Sequence, residues 1–282
     1  MKKGDTVALV ACSNGLKINM KPKIDELVKV LSDLGLKVKL SPYIYAKNSC
    51  FNASSKDRAD ALIKFYEDKE VKAIFDISGG DLANGILEYL DFEIIKNNEK
   101  LFFGFSDLTV ILNSIYSRTG VKTYNYQIRN LVGKFSKEQR VAFKETFLGN
   151  KNSLFDIKFN FYQGKSISGI VVGGNIRCLL KLAGTKYMPD FSDKVIFLEA
   201  LSGDVAKMAT YLTQLKNIGA FNSCRGILLG TFTEMEREGY NPDIIDLVKD
   251  IVNDETIPIA KTSQIGHGDD SRCMAVGEYI NI

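Results

Sequence analysis

The chain is poor in the residues on which metal and redox chemistry depend. Among 282 residues there is one histidine, His267, and no tryptophan. A zinc site of the H-E-x-x-H kind needs two histidines, so no resident metal is expected. The five cysteines, Cys12, Cys50, Cys178, Cys224 and Cys273, are odd in number and far apart, and no C-x-x-C pair occurs. Such thiols fit the buried positions of a protein kept in a reducing cytosol. Neither G-x-x-x-x-G-K-[ST] nor a G-x-G-x-x-G after a strand is present, which leaves nucleotide-driven chemistry without a phosphate cradle and predicts no cofactor. Charge of one sign is lacking too: 37 basic and 34 acidic residues give a net +3. Lys21, Lys23, Asp25, Glu26 and Lys29 show the usual mixing, a solvated helix face, and no basic cluster points to nucleic acid. The apolar run Val7 to Ala11 behind Lys2 and Lys3 is shorter than a signal-peptide core, and nothing longer suggests a membrane span. A cytoplasmic location is expected.

What the chain does have is the composition of a folded protein, 45% hydrophobic and 25% charged residues, with enough length for two medium domains. Over residues 1–150 short apolar runs alternate with amphipathic stretches, which predicts a parallel-sheet α/β domain. The strands are expected at Thr6 to Ala11, Leu36 to Leu40, Ala73 to Ser78, Leu101 to Phe105 and Val121 to Tyr124. Ile24, Leu27, Val28, Leu31 and Leu34 fall on one helical stripe, and Gly35 follows as a stop signal. The polar cluster Gly149-Asn150-Lys151-Asn152-Ser153 breaks the pattern, so residues 151–166 are expected as a linker. A smaller C-terminal α/β domain over 167–282 follows, with strands at Ser168 to Val172, Val195 to Leu198, Gly226 to Leu229 and Ile257 to Lys261. Helices are expected at Val205 to Ile218 and at Pro242 to Asn253.

Four segments carry candidate chemistry. Gly104-Phe105-Ser106-Asp107 lies where a strand meets a helix with apolar Leu108, Ile111, Leu112 and Ile115. A serine on such a turn exposes its hydroxyl beside a helix N-terminus, although Ser-Asp before a helix is also an ordinary N-cap. Ser78-Gly79-Gly80-Asp81 ends another strand; its glycines can turn backbone N–H groups toward an oxyanion, or simply make a tight turn. Glu199 closes an apolar strand, at the edge where α/β proteins place functional groups and where acids are also often merely solvated. His267 stands between Gly266 and Gly268 in a loop that gives the imidazole room and little packing. Serine, then an acid, then histidine is the chain order of α/β-hydrolase triads.

In this order, and over nearly the whole chain, Asp5-Thr6-Val7, Ala11-Cys12-Ser13, Ser78 to Asp81, Gly104 to Thr109, Gly173-Gly174-Asn175, Leu182 to Thr185, Phe197-Leu198-Glu199, Gly226 to Gly230 and Gly266-His267-Gly268 resemble the LD-carboxypeptidase family of serine peptidases. That family, S66, includes the murein tetrapeptide carboxypeptidases and the microcin C immunity proteins. The resemblance implies a triad of Ser106, Glu199 and His267 across two domains, an oxyanion hole from the backbone N–H groups near Gly80 and Asp107, and a homodimer. It further implies hydrolysis of the bond between an L-centre and the terminal D-alanine of cytoplasmic murein peptides. The alternative is an immunity-type amidase acting on aminoacyl nucleotide antibiotics. An aromatic platform for a base would suit that activity and no tryptophan is available, whereas Ser78-Gly79-Gly80 in place of Arg-Gly-Gly leans toward it. Asp81, Asn175 and Arg177 are candidates for substrate binding, and Arg177 and Arg129 for holding a substrate carboxylate. Tyr124-Asn125-Tyr126-Gln127-Ile128-Arg129 departs from a His-Gly-Pro-like segment of the family and Met274-Ala275-Val276-Gly277 from its Leu-Pro-x-Gly. Ser202-Gly203-Asp204 lacks an extra acid; these departures spare the triad and bear on substrate preference.

Overall fold

A computed structural model describes all 282 residues. Twelve strands run along the chain: β1 Thr6–Val10, β2 Lys37–Leu40, β3 Val71–Asp76, β4 Leu101–Gly104, β5 Thr123–Asn125, β6 Asn160–Gln163, β7 Ser168–Asn175, β8 Lys194–Ala200, β9 Gly226–Phe232, β10 Ile259–Lys261, β11 Met274–Val276 and β12 Tyr279–Asn281. They form two six-stranded sheets, ordered β11-β5-β4-β3-β1-β2 and β12-β7-β8-β9-β10-β6. All neighbours in the first sheet pair in parallel except β11 on β5. In the second, β7 to β10 are parallel and β12 and β6 are antiparallel edges.

Alternation along the central strands explains why both faces need helices. Val7, Leu9 and Ala11 join one buried cluster with Phe75 and Phe103, while Ala8, Val10 and Cys12 join another with Ile74 and Phe102. In the second sheet Ile196, Leu198 and Ile227 face one core and Val195, Phe197 and Leu228 the other. The stripe beginning at Ile24 lies on the helix Lys21–Asp33, which buries Ile24, Leu27, Val30 and Leu31; Gly35 then takes φ +90° and the chain turns into β2. Near the other end, Asp243 caps the helix Ile244–Val252, two residues later than the start expected at Pro242.

Three strands have no counterpart in the sequence-based expectation. Asn160–Gln163, inside the stretch 151–166, is an edge strand of the second sheet, and Tyr279–Asn281 is its opposite edge. Met274–Val276 crosses back to complete the first sheet. Edge strands of three or four residues carry too little alternation to be read, and their pairing is set by distant partners. No helix is long and apolar enough to cross a membrane.

Candidate active site

The first sheet has the strand order 2-1-3-4-5, so the connections leaving β1 and β3 run in opposite directions and a crevice opens at their carboxyl ends. The chain fills that position with a cleft of about 400 Å³. Asn14 to Lys17 after β1, Ser78 to Gly80 after β3, Phe105 and Ser106 after β4, and Gln127 and Arg129 after β5 line it, together with Leu201 and His267 from the other sheet.

The turn after β4 is built from its glycine outward. A Cβ on Gly104 would meet the Leu108 Cβ at 2.6 Å, so only glycine lets the following helical turn fold back on the strand. Phe105 is extended and Ser106 adopts φ +59°, a left-handed conformation that costs a non-glycine residue about 1–2 kcal/mol. Ser106 caps no helix with its side chain, which removes the N-cap reading; its Oγ instead lies 3.2 Å from His267 Nε2. Asp107 turns inward, fully buried, and accepts from Ser13 Oγ at 2.6 Å, Ala83 N–H at 2.9 Å and Lys181 Nζ at 2.6 Å.

Lys181 comes from the second half of the chain, and the same junction carries a second clasp. The helix Thr109–Thr119 lays Asn113 against β7, where its side-chain amide donates to the Gly173 carbonyl at 2.9 Å and accepts from Gly173 N–H at 2.8 Å. Thr109 Oγ1 accepts from Asn175 N–H at 3.0 Å. A Cβ on Gly174 would strike Thr109 Oγ1 at 2.6 Å, and one on Gly173 the Phe197 carbonyl at 2.1 Å. The glycine pair is therefore what lets the helix that follows Ser106 approach the sheet that holds Glu199.

Glu199 lies near the end of β8, paired in register with Asn175 and wholly buried. Its Oε2 is 2.7 Å from His267 Nδ1, while Oε1 has no partner. A carboxylate only accepts, so the proton resides on Nδ1 and the Nε2 lone pair faces Ser106. His267 was expected in a roomy, poorly packed loop. Its side chain is only 8% exposed, with the ring 4.5 Å from that of Phe105. The reason is that its loop is tied down on both sides. Gly266, at φ +152°, sits where a Cβ would overlap Thr231 Oγ1, and its N–H donates to Ser271 Oγ at 3.1 Å. Asp269 accepts from Lys134 N–H at 3.0 Å and the Ser271 carbonyl from Gln139 Nε2 at 3.1 Å, both from the first domain.

The turn after β3 lies beside the serine. Buried Asp76 gathers it, accepting from Cys12 N–H and Ser78 N–H at 2.8 Å each and from Ser78 Oγ at 2.5 Å; burial raises its carboxyl above the usual range. Gly80 takes φ +122° with its would-be Cβ 2.3 Å from Asn14 Cγ, and its N–H donates to no protein acceptor. Three candidates named for substrate binding have other partners here. Arg177 pairs with Asp81 and donates to the Gly80 carbonyl at 3.1 Å; Asn175 caps a short helix by accepting from Cys178 N–H at 3.3 Å. None of Asp81, Asn175 and Arg177 lines the cleft, whereas Arg129 does. Lys181 and Asn14 went unnoticed in the sequence, because no local pattern marks a lysine or asparagine whose partner lies on another element. No group of three or more His, Cys, Asp or Glu side chains is arranged to hold a metal ion.

Comparison with known proteins identifies both halves of the chain. Residues 7–126 match the LD-carboxypeptidase N-terminal domain and residues 168–282 its C-terminal domain. A Bacillus subtilis (strain 168) protein named "Probable murein peptide carboxypeptidase" is 27% identical over 289 residues, covering 98% of this chain and 88% of its own. The microcin C7 self-immunity protein MccF of Escherichia coli is 22% identical, over 94% of this chain and 86% of its own. Among solved structures, an MccF-like protein from Bacillus anthracis str. Ames superposes with a TM-score of 0.88 at 26% identity, covering 100% of this chain and 94% of that one. Both domains being matched, in order and over most of the length, the chain belongs to the LD-carboxypeptidase family, the S66 peptidases.

Proposed function

We propose that the protein is a serine carboxypeptidase that removes the terminal D-alanine from murein tetrapeptides in the cytoplasm, through an acyl-enzyme formed on Ser106. One observation carries the reading. A serine held at φ +59° on a strand-to-helix turn, the chain's single histidine and a fully buried glutamate form a continuous hydrogen-bonded line across two domains, 3.2 Å and 2.7 Å long in its two links.

In the mechanism that this line supports, His267 Nε2 takes the Ser106 proton as Oγ attacks the peptide carbonyl. Glu199 Oε2 holds the Nδ1–H and stabilises the imidazolium. The Gly80 amide, free of a protein partner, and the Asp107 amide at the start of the helical turn receive the oxyanion. His267 then protonates the leaving D-alanine amine, and water enters by the same base to release the acyl group. Phe105 packed on the imidazole limits its alternative positions.

The absence of tryptophan gives a nucleobase no indole to stack on, which favours the peptide over an aminoacyl nucleotide. The test is D-alanine release from a murein tetrapeptide by wild type, Ser106→Ala and His267→Ala, with an aminoacyl sulfamoyl adenosine as the competing substrate. Loss of about 10⁴-fold or more in both variants is expected. Hydrolysis of the nucleotide conjugate alone decides for the immunity-type activity, and unchanged release in Ser106→Ala removes the serine mechanism altogether.

A further inference from the structure

The cleft beside Ser106 and His267 is lined by two cationic side chains, Lys17 and Arg129, and by no carboxylate. The two cations differ in setting. Lys17 is exposed and keeps its own hydration. Arg129 is held on the short helical turn Ile128–Val132 after β5, where its Nε is buried without a hydrogen-bond partner. Of its five N–H groups one is used, Nη2 donating to Gln127 Oε1 at 2.6 Å. No acid pairs with it. Asp76 and Asp269 favour its charge through space, but Asp76 is occupied by Cys12 and Ser78, and Asp269 by Lys134. Burial lowers the guanidinium pKa from its ordinary value, yet an arginine stays charged in a protein.

The cations of the neighbouring turns are already engaged, Arg177 with Asp81, Lys181 with Asp107, and Arg58 through its Nη groups with the Cys12 and Ser13 carbonyls and Ser55 Oγ. A desolvated charge without a counter-ion is costly, and this one faces a cavity that opens beside the serine. The same segment holds more unpaired buried polar atoms, both side-chain ends of Asn125 and Nδ2 of Asn130. Arg129 itself, which lines the cleft with most of its N–H groups unused, is made to be completed by an anionic group. A guanidinium fork pairs with a planar carboxylate through two parallel hydrogen bonds, a match that a lysine lacks.

We propose that Arg129 anchors the terminal carboxylate of the substrate, and so makes the cleft select peptides whose scissile bond is the last one. The inference rests on the serine-peptidase reading above. In a carboxypeptidase substrate the carboxylate sits on the residue that leaves, one residue beyond the attacked carbonyl, so a cation in the wall beside the nucleophile is where it is needed.

The experiment compares kcat/KM for a murein tetrapeptide ending in D-alanine with that for its C-terminal carboxamide, in wild type, Arg129→Met and Arg129→Lys. Wild type is expected to prefer the acid by about 100-fold, the strength of a charged hydrogen-bonded pair. In Arg129→Met the acid-to-amide ratio collapses toward unity, and in Arg129→Lys, which keeps the charge and loses the fork, it falls about tenfold with KM moving more than kcat. Circular dichroism checks that each variant folds; should Arg129→Met not fold, the Arg129→Lys ratio decides. A ratio unchanged in the variants, with both substrates losing equally, overturns the inference while leaving the serine mechanism standing. So does a wild type that cleaves both peptides, dependent on Ser106, without preferring the acid. A wild type that cleaves neither in a Ser106-dependent way removes the underlying reading, and the anchor with it.

Discussion

Two neighbouring strands of the first sheet end in turns that look alike in sequence, Ser78-Gly79-Gly80 after β3 and Gly104-Phe105-Ser106 after β4, and they solve the same steric problem in opposite ways. Both need a residue in the left-handed region. After β3 that residue is Gly80, at φ +122°, with Asn14 occupying the space a Cβ would need. After β4 it is Ser106, at φ +59°, and the glycine is moved two positions back to let Leu108 approach. The first turn presents a backbone amide and dispenses with a side chain. The second must present a side chain, so it accepts strain that glycine would relieve. A strained non-glycine residue at a strand end is in this sense a signature of use.

Substitutions that exchange the two solutions break the comparison. The largest effect is expected for Ser106→Gly, which removes the hydroxyl and the strain together. Peptide hydrolysis falls by about 10⁴-fold or more, while unfolding in urea shows stability unchanged or raised by up to about 1 kcal/mol, the left-handed penalty less the entropy of glycine. A clear loss of stability would mean that the turn is not strained. Next comes Gly80→Ala, for which no such gain is available. The new methyl would meet Asn14 at 2.3 Å, so the amide shifts and kcat drops by about 10²–10³-fold with a smaller change in KM, as for loss of an oxyanion donor. A variant of near wild-type kcat excludes Gly80 N–H from the oxyanion hole.

The residues following each turn sharpen the contrast. Asp107 is fully buried with Lys181 as its cation, and Lys181 is itself 18% exposed. Lys181→Met leaves that carboxylate unpaired and is expected to cost about 3 kcal/mol of stability, measured by denaturant unfolding. Asp81, after the other turn, is 60% exposed and pairs with an arginine that is 44% exposed. Solvent screens such a pair, so Asp81→Asn should cost below about 1 kcal/mol. Its pH dependence has a definite sign. The Arg177 hydrogen bond holds the Asp81 carboxyl below its usual range, so the difference between wild type and variant is present above the ordinary carboxylate pKa and closes as pH falls through the lowered value. A difference that grows in acid contradicts this pairing.

The parts of the site that the sequence exposed are those whose role shows in local pattern. Glycine before Ser106 and around His267, and an acid ending an apolar strand at Glu199, are visible because steric freedom and strand polarity leave marks on neighbouring residues. Lys181, Asn14 and the Asn113 clasp left none, since each serves an element sixty or more residues away. Packing around His267 was misjudged for the same reason: flanking glycines suggested an open loop, while contacts with Phe105, Thr231 and the first domain enclose it. The three short edge strands escaped because an antiparallel edge owes its existence to the strand beside it.

By itself the sequence determined the two α/β halves, through period-2 and helical alternation, and the order in which a serine, a glutamate and a histidine follow one another. Tertiary structure alone decided that these three meet, because residues 106, 199 and 267 are joined only where the Gly173-Gly174 pair lets a helix of one domain rest on a strand of the other. It also decided that Arg129 stands at the cleft without a counter-ion, since the burial of a charge and the whereabouts of its counter-ion depend on atoms brought together by folding.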